Sequence, residues 1–217
     1  MKNNVNFLLH DWPNNFIHDT ELALLLKKSD NARYSLVKRA LKNEDLIRLR
    51  KGLYLIADKI RKELPNEFEL ALQIYQPSII SLESALSFHG WIPEAVYTTT
   101  CVTPKRAQEF ENKFGIFSYK HVPNQGFYNG VNRTAAGTSI TFIAAPWKAL
   151  ADLIYTRRKE WDNLAQLEED LRIDHAVIMS SNTELLKELC QNYPSTRVRK
   201  VLKRFLSEIN KERGKVS

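Results

Sequence analysis

The chain of 217 residues has only two cysteines, Cys101 and Cys190, which lie far apart and match no C-x-x-C spacing. That pattern excludes a disulfide framework or a cysteine metal site and leaves two small side chains expected in a core. The histidines, His10, His18, His89, His121 and His175, stand at no metal-ligand spacing and beside no cysteine, so no metal is expected. With 7 glycines and 8 prolines there is no material for a long flexible linker. No run of about 18 apolar residues occurs, and the opening Met-Lys-Asn-Asn-Val-Asn lacks an apolar stretch of signal length, which reads as a cytoplasmic protein without membrane contact. Catalytic signatures are missing as well: there is no Walker loop, no GxSxG, no HExxH and no glycine-serine followed by paired carboxylates. Asp170 and Asp174 fall four apart on a predicted helix around Arg172, where pairing with neighbours or solvent accounts for them better than a metal does. Neither an enzyme nor a cofactor is expected.

Charge, by contrast, is present and localised. Residues 27 to 62 carry 12 Lys plus Arg against 4 Asp plus Glu, an excess of +8 in a chain whose net charge is +7. Residues 195 to 217 add 8 basic against 2 acidic residues, while residues 63 to 194 are acidic, with 11 against 16. A basic excess confined to one segment is the footprint of phosphate neutralisation, whereas evenly spread charge would indicate only solubility.

The basic segment also has a layout. Val5 to Leu9 is an apolar start, read as a first helix ending before Trp12-Pro13-Asn14-Asn15. Thr20 is placed as the cap of a helix whose Leu22, Leu25 and Leu26 form a buried stripe, broken at Ser29-Asp30-Asn31. In the next helix Leu36, Val37, Ala40 and Leu41 share one side, and Asn31, Ser35, Lys38, Arg39 and Lys42 the other. Residues 46 to 56 then alternate apolar and basic around Gly52, as a hairpin with Arg50 and Lys51 at its tip would. This is the plan of a winged helix-turn-helix.

Beyond a boundary placed around Ala57 to Pro65, the pattern is mixed. A helix within residues 58 to 75 has Asn66 near its cap, and another over 81 to 88 has Ser81 as N-cap. The β-branched runs at 96 to 103, 116 to 122 and 138 to 144 read as strands of one antiparallel sheet, with turns at Asn124-Gln125-Gly126 and Tyr128-Asn129-Gly130. Helices follow at 147 to 158 and about 160 to 172, 182 to 192 and 194 to 212, the last amphipathic and basic. No repeat is visible. The fold class expected is therefore α+β, with a winged helix-turn-helix over residues 1–60 and a mixed α/β domain over residues 61–217 that holds a small antiparallel sheet and terminal helices, each with a hydrophobic pattern of its own and able to fold independently.

In order and spacing the chain resembles the AbiEi family, the antitoxins of type IV, AbiE-type toxin-antitoxin systems of phage abortive infection. The resemblance rests on the wing residues 46 to 54, on Ile80-Ser81-Leu82-Glu83-Ser84-Ala85-Leu86 with His89-Gly90, and on Phe127-Tyr128-Asn129-Gly130-Val131. It continues through Ala144-Ala145-Pro146-Trp147-Lys148-Ala149-Leu150-Ala151-Asp152-Leu153 and Tyr193-Pro194-Ser195-Thr196-Arg197-Val198. Where the family usually has a glycine between recognition helix and wing, this chain has Asn43-Glu44-Asp45, so Asn or Asp is expected to make that turn. The resemblance implies a transcriptional autorepressor that binds inverted repeats in its own operator as duplex DNA. It also implies a C-terminal antitoxin domain that counters a nucleotidyltransferase-like toxin without a stable complex.

The DNA-binding residues expected on this basis are Arg33, Tyr34, Ser35, Lys38, Arg39, Lys42, Arg48, Arg50 and Lys51. Tyr34 and Ser35, near the helix start, are placed at base edges; the lysines and arginines are placed at phosphates, with Arg50 and Lys51 at backbone or minor groove. Tyr54 is assigned to the core. The alternatives are a winged-helix regulator unrelated to a toxin, a nucleic-acid-processing enzyme targeted by its winged helix, and an interaction protein whose basic tail docks an acidic partner or RNA.

Overall fold

The computed structural model describes residues 9–57, 60, 65–94, 96–136 and 139–216. The expected first helix at residues 5 to 9 falls almost wholly outside them, as does much of the expected boundary at 57 to 65.

The N-terminal head runs β1 (Phe16–His18), α1 (Asp19–Leu26), α2 (Asp30–Lys42), β2 (Leu46–Arg50) and β3 (Leu53–Ile56), with antiparallel sheet order β1-β3-β2. Helix α1 begins one residue before Thr20 and is capped from the other direction: the His18 N–H donates to the Glu21 carboxylate at 2.6 Å. At the end of α2 the chain turns through Glu44, at φ 54°, rather than through Asn43 or Asp45. The Asp45 N–H donates to Ala40 O at 2.8 Å and the Glu44 N–H to Leu41 O at 3.2 Å, a Schellman closure whose left-handed position glycine normally fills.

All four residues of β3 are buried, because the small sheet is covered on both faces. On one face Ile17, Leu46, Tyr54 and Ile56 pack with Leu22, Leu26, Val37 and Ala40 of the helices. On the other, Phe16, Leu49, Leu53 and Leu55 belong to the core of the remaining chain. The two cores therefore share the small sheet between them.

That remainder contains α3 (Glu67–Ile74), β4 (Ile79–Ile80), α4 (Leu82–Phe88), β5 (Thr98–Thr103), β6 (Gln108–Asn112), β7 (Gly115–His121), β8 (Val131–Ala136) and β9 (Ser139–Ala144). The helices α5 (Pro146–Arg157), α6 (Leu164–Leu171), α7 (His175–Ser180), α8 (Glu184–Asn192) and α9 (Thr196–Val216) follow. The fold class is α+β as expected. The large sheet, with strand order β6-β7-β5-β4-β9-β8, is mixed rather than antiparallel. Strands β5 and β7 run parallel because the polar strand β6, hidden from a hydrophobicity reading, reverses the chain at the sheet edge before β7. Strands β4 and β9 are parallel as well.

Caps explain the remaining boundaries. The Asn66 side chain accepts from Glu69 N at 2.8 Å, as expected. Ser81 precedes α4, but its hydroxyl donates instead to Asp152 Oδ2 at 2.8 Å. The expected helix through Asp170 and Asp174 is broken by Arg172 at φ 51°. Asp174 then caps α7 by accepting from Ala176 N at 2.8 Å, and Asp170 pairs with Lys159 and accepts from Trp161 Nε1 at 3.0 Å. Gly130, at φ 72°, takes a backbone conformation that other residues rarely adopt, and an added Cβ would stand 2.8 Å from Leu185 Cδ2 of α8, which would have to shift. Residues 147 to 154 of α5 are all buried, so this part of the helix shows no solvent face, and exposure begins only in its last turn. Cys101 and Cys190 are free and buried, and burial pushes both thiols up from their ordinary values.

The basic α9 is no free arm. Arg197 donates to Lys159 O, Ile154 O and Tyr155 O, Arg204 to Asp162, and Arg213 to Met179 O and Ser181 O, so its arginines close the ends of earlier helices. His175 lies between Glu168, at 2.8 Å, and Glu212, at 3.1 Å, joining α6 and α9.

Two measurements follow from these contacts. A fragment of residues 1–60 exposes Phe16, Leu49, Leu53 and Leu55, a loss of about 1.5–3 kcal/mol per side chain. Together they rival the roughly 5–15 kcal/mol that holds a domain, so circular dichroism should show the fragment unfolded or aggregated; a cooperative melt matching the intact chain would show the head to be self-sufficient. The second concerns pH. The Glu168 hydrogen bond raises the His175 pKa, so its stabilisation is complete below the unfolded value and disappears as pH rises through the folded one. Burial lowers the His89 pKa, so its contribution disappears as pH falls below the unfolded value, about 6.5. Melting of His175→Asn should therefore converge with that of the parent protein on the alkaline side, and a pH-independent difference would show that the ring acts by packing alone.

Candidate nucleic-acid interface

Helix α2 leaves one side bare because Val37 and Ala40 point into the head and Leu36 and Leu41 flank them. Tyr34, Ser35, Lys38, Arg39 and Lys42 are exposed, Tyr34 at 67%. The Ser35 hydroxyl donates to Asn31 O at 2.9 Å, which orients it along the helix.

A cleft of about 280 Å³ separates this side of α2 from the small sheet, and it gathers Arg33, Tyr34, Lys38, Arg48 and Tyr54 with Asp19 and Asp30. The two carboxylates were not anticipated. Arg33 donates to Asp30 at 2.9 Å and approaches Asp19 at 3.7 Å, and its side chain is only 19% exposed. It is thus a held residue rather than a free cation; the i, i+3 spacing of Asp30 and Arg33 was the available signal. Arg48 is exposed beside Tyr54, whose pKa burial raises first and the Asp19 charge second, with Arg48 opposing.

Arg50 departs from expectation for a geometric reason. Strict alternation would put Arg48 and Arg50 on one face, but the step from Arg48 to Arg50 in β2 is matched by the single step from Tyr54 to Leu53 in β3. This bulge turns Leu49 and Arg50 together toward the large core. There Arg50 Nε donates to Ile74 O at 2.5 Å and Nη1 to Lys51 O at 2.9 Å, fastening the hairpin to the end of α3. Lys51 stays exposed at the tip, where Gly52 takes φ 76° and its carbonyl accepts from Asp19 N at 3.0 Å.

Of the nine expected residues, the structure therefore gathers Arg33, Tyr34, Lys38 and Arg48 around one cleft and leaves Ser35, Arg39 and Lys42 exposed on the helix beside it. Lys51 lies apart at the tip, and Arg50 is withdrawn. Among the described residues no group of His, Cys, Asp and Glu is arranged to hold a metal ion, and no helix is long and apolar enough to cross a membrane.

No family model matches the chain, and no curated protein matches it. Among solved structures it is similar to the Rv2827c protein from Mycobacterium tuberculosis, with a TM-score of 0.57 and 15% identity over 93% of this chain and 75% of that one. At that identity the likeness extends to the fold.

Proposed function

We propose that the chain is a DNA-binding autorepressor whose head is a winged helix-turn-helix, reading duplex DNA with α2 and supporting it with the hairpin β2–β3. The observation that carries this reading is the bare, cationic side of α2 standing next to Arg48 of the hairpin, and the order β1-α1-α2-β2-β3 supports a winged helix for the head. Lys38, Arg39, Lys42, Arg48 and Lys51 are the phosphate contacts, and Tyr34 and Ser35 face the bases. Such a role places the protein in the cytoplasm. The resemblance to AbiEi antitoxins supports the second half of the proposal, in which the remainder of the chain counters a nucleotidyltransferase-like toxin without forming a stable complex.

With Arg33 and Arg50 engaged internally, about five phosphates are neutralised. Log K for the duplex upstream of its own gene should then fall against log salt with a slope of roughly −4 to −5. Fluorescence anisotropy over a salt series measures it, and a slope near zero counts against the proposed surface.

Replacing Lys38 and Arg39 together by Glu exchanges two cations for two anions beside phosphates. Binding should weaken by at least ~2 kcal/mol, while melting moves by about 0.5 kcal/mol or less, as is usual at exposed positions. Retained affinity in the double variant would move the DNA surface off α2.

A further inference from the structure

Among the residues that line the cleft between α2 and the small sheet, Asp30 is the one that phosphate binding does not account for. It is the first residue of α2, and Asp30, Tyr34 and Lys38, spaced four apart, form one stripe along the helix that borders the cleft. The Asp30 side chain is 89% exposed. Its Oδ1 accepts from Arg33 Nη1 at 2.9 Å, and among the described residues Oδ2 meets no donor. Arg33, 19% exposed and within 3.7 Å of Asp19, is the fixed member of the pair and holds the carboxylate at the helix start. A carboxylate in the first turn is favoured by the helix dipole. This one also stands beside Tyr34, Lys38 and Arg48, where phosphates, which have no donors, would only repel it.

We propose that Asp30 reads a cytosine in the major groove, an inference that rests on the DNA-binding reading and names a base that the surface selects. The major-groove edges of the bases carry two donors, the cytosine N4 amine and the adenine N6 amine. Each turns one N–H to the groove, which one open carboxylate oxygen can accept. Adenine sets its N7 acceptor beside that amine, so a carboxylate there leaves N7 unpaired and faces its lone pair; cytosine sets C5–H beside its amine and opposes no acceptor. The start of a recognition helix is the part that reaches base edges, and Tyr34, one turn on, is placed at them in the same reading. Lys38, a further turn along the stripe, stays at the phosphates. Asp19, the other carboxylate of the cleft, belongs to the frame: its N–H donates to Gly52 O at 3.0 Å and its side chain faces Arg33.

The test is selection from a pool of duplexes with a randomised core, run with the intact chain, Asp30→Ala and Asp30→Asn, followed by fluorescence anisotropy on the selected sequences. The intact chain should select a cytosine at one position that Asp30→Ala leaves unselected, with preferences elsewhere unchanged. Asp30→Asn, which keeps an acceptor for Arg33 and adds a donor for N7, should turn that cytosine into an adenine. Replacing the C·G pair by T·A should weaken binding of the intact chain about tenfold or more and leave that of Asp30→Ala unchanged. Melting should stay the same in both variants, since the side chain is exposed; should Asp30→Ala fail to fold, Asp30→Asn carries the test. A selected sequence that neither variant alters, a lost preference for a base other than cytosine, or a loss of affinity equal for all sequences would overturn the proposal and leave the DNA-binding reading standing. An intact chain that binds no duplex would bring down both.

Discussion

The burial of β3 on both faces is the constraint on which the rest of this architecture depends. A hairpin strand in a small head domain ordinarily turns one face to solvent; here Tyr54 and Ile56 serve the helices while Leu53 and Leu55 serve the large core. The head therefore has no independent rear surface, and the orientation of α2 and the hairpin is referred to the large sheet and its helices. Side-chain bonds reinforce the apolar contact, with Arg50 reaching Ile74 O and Asn112 Nδ2 reaching Leu49 O at 3.3 Å.

Within the larger part, one carboxylate organises the layers. Asp152, wholly buried, accepts from Lys148 Nζ at 2.7 Å, Ser81 Oγ at 2.8 Å and Tyr193 Oη at 3.0 Å. It thereby joins α5 to the β4–α4 junction and to the turn between α8 and α9. A buried pair of this kind contributes little net stability compared with an apolar replacement, but removing one partner leaves an uncompensated charge. The bond from Ser81 turns that residue toward α5, and the next residue, Leu82, takes φ 57°.

Patterns with a period were legible in the sequence, and departures from a period were not. Helix α2, the hairpin, and the strands β5, β7 and β9 announced themselves by hydrophobic spacing or β-branched runs, and the exposed side of α2 came out as expected. Strand β6 did not, because an edge strand composed as Gln-Glu-Phe-Glu-Asn turns a single apolar residue, Phe110, to the core, and without it the direction of β7 was misread. The short α7 was hidden for another reason, since six residues, His-Ala-Val-Ile-Met-Ser, are too few to display a helical period. In the candidate site, charge was legible but partnership was not. Lys38, Arg39 and Lys42 are exposed, whereas Arg33 is held by Asp30 in its own helix, and Arg50 and the arginines of α9 are matched to acceptors that lie across turns or far along the chain. Net charge in a segment thus overstates the charge available to a partner.

The bulge at Leu49 places the hairpin tip under the control of a helix that approaches no nucleic acid in the proposed function. Arg50 is anchored on the final carbonyl of α3, so the position of Lys51 relative to α2 is referred to the end of that helix. Repacking residues 70 to 76 alone would therefore change the spacing between α2 and the hairpin tip, the two elements proposed to contact DNA, and leave every side chain on that surface unaltered.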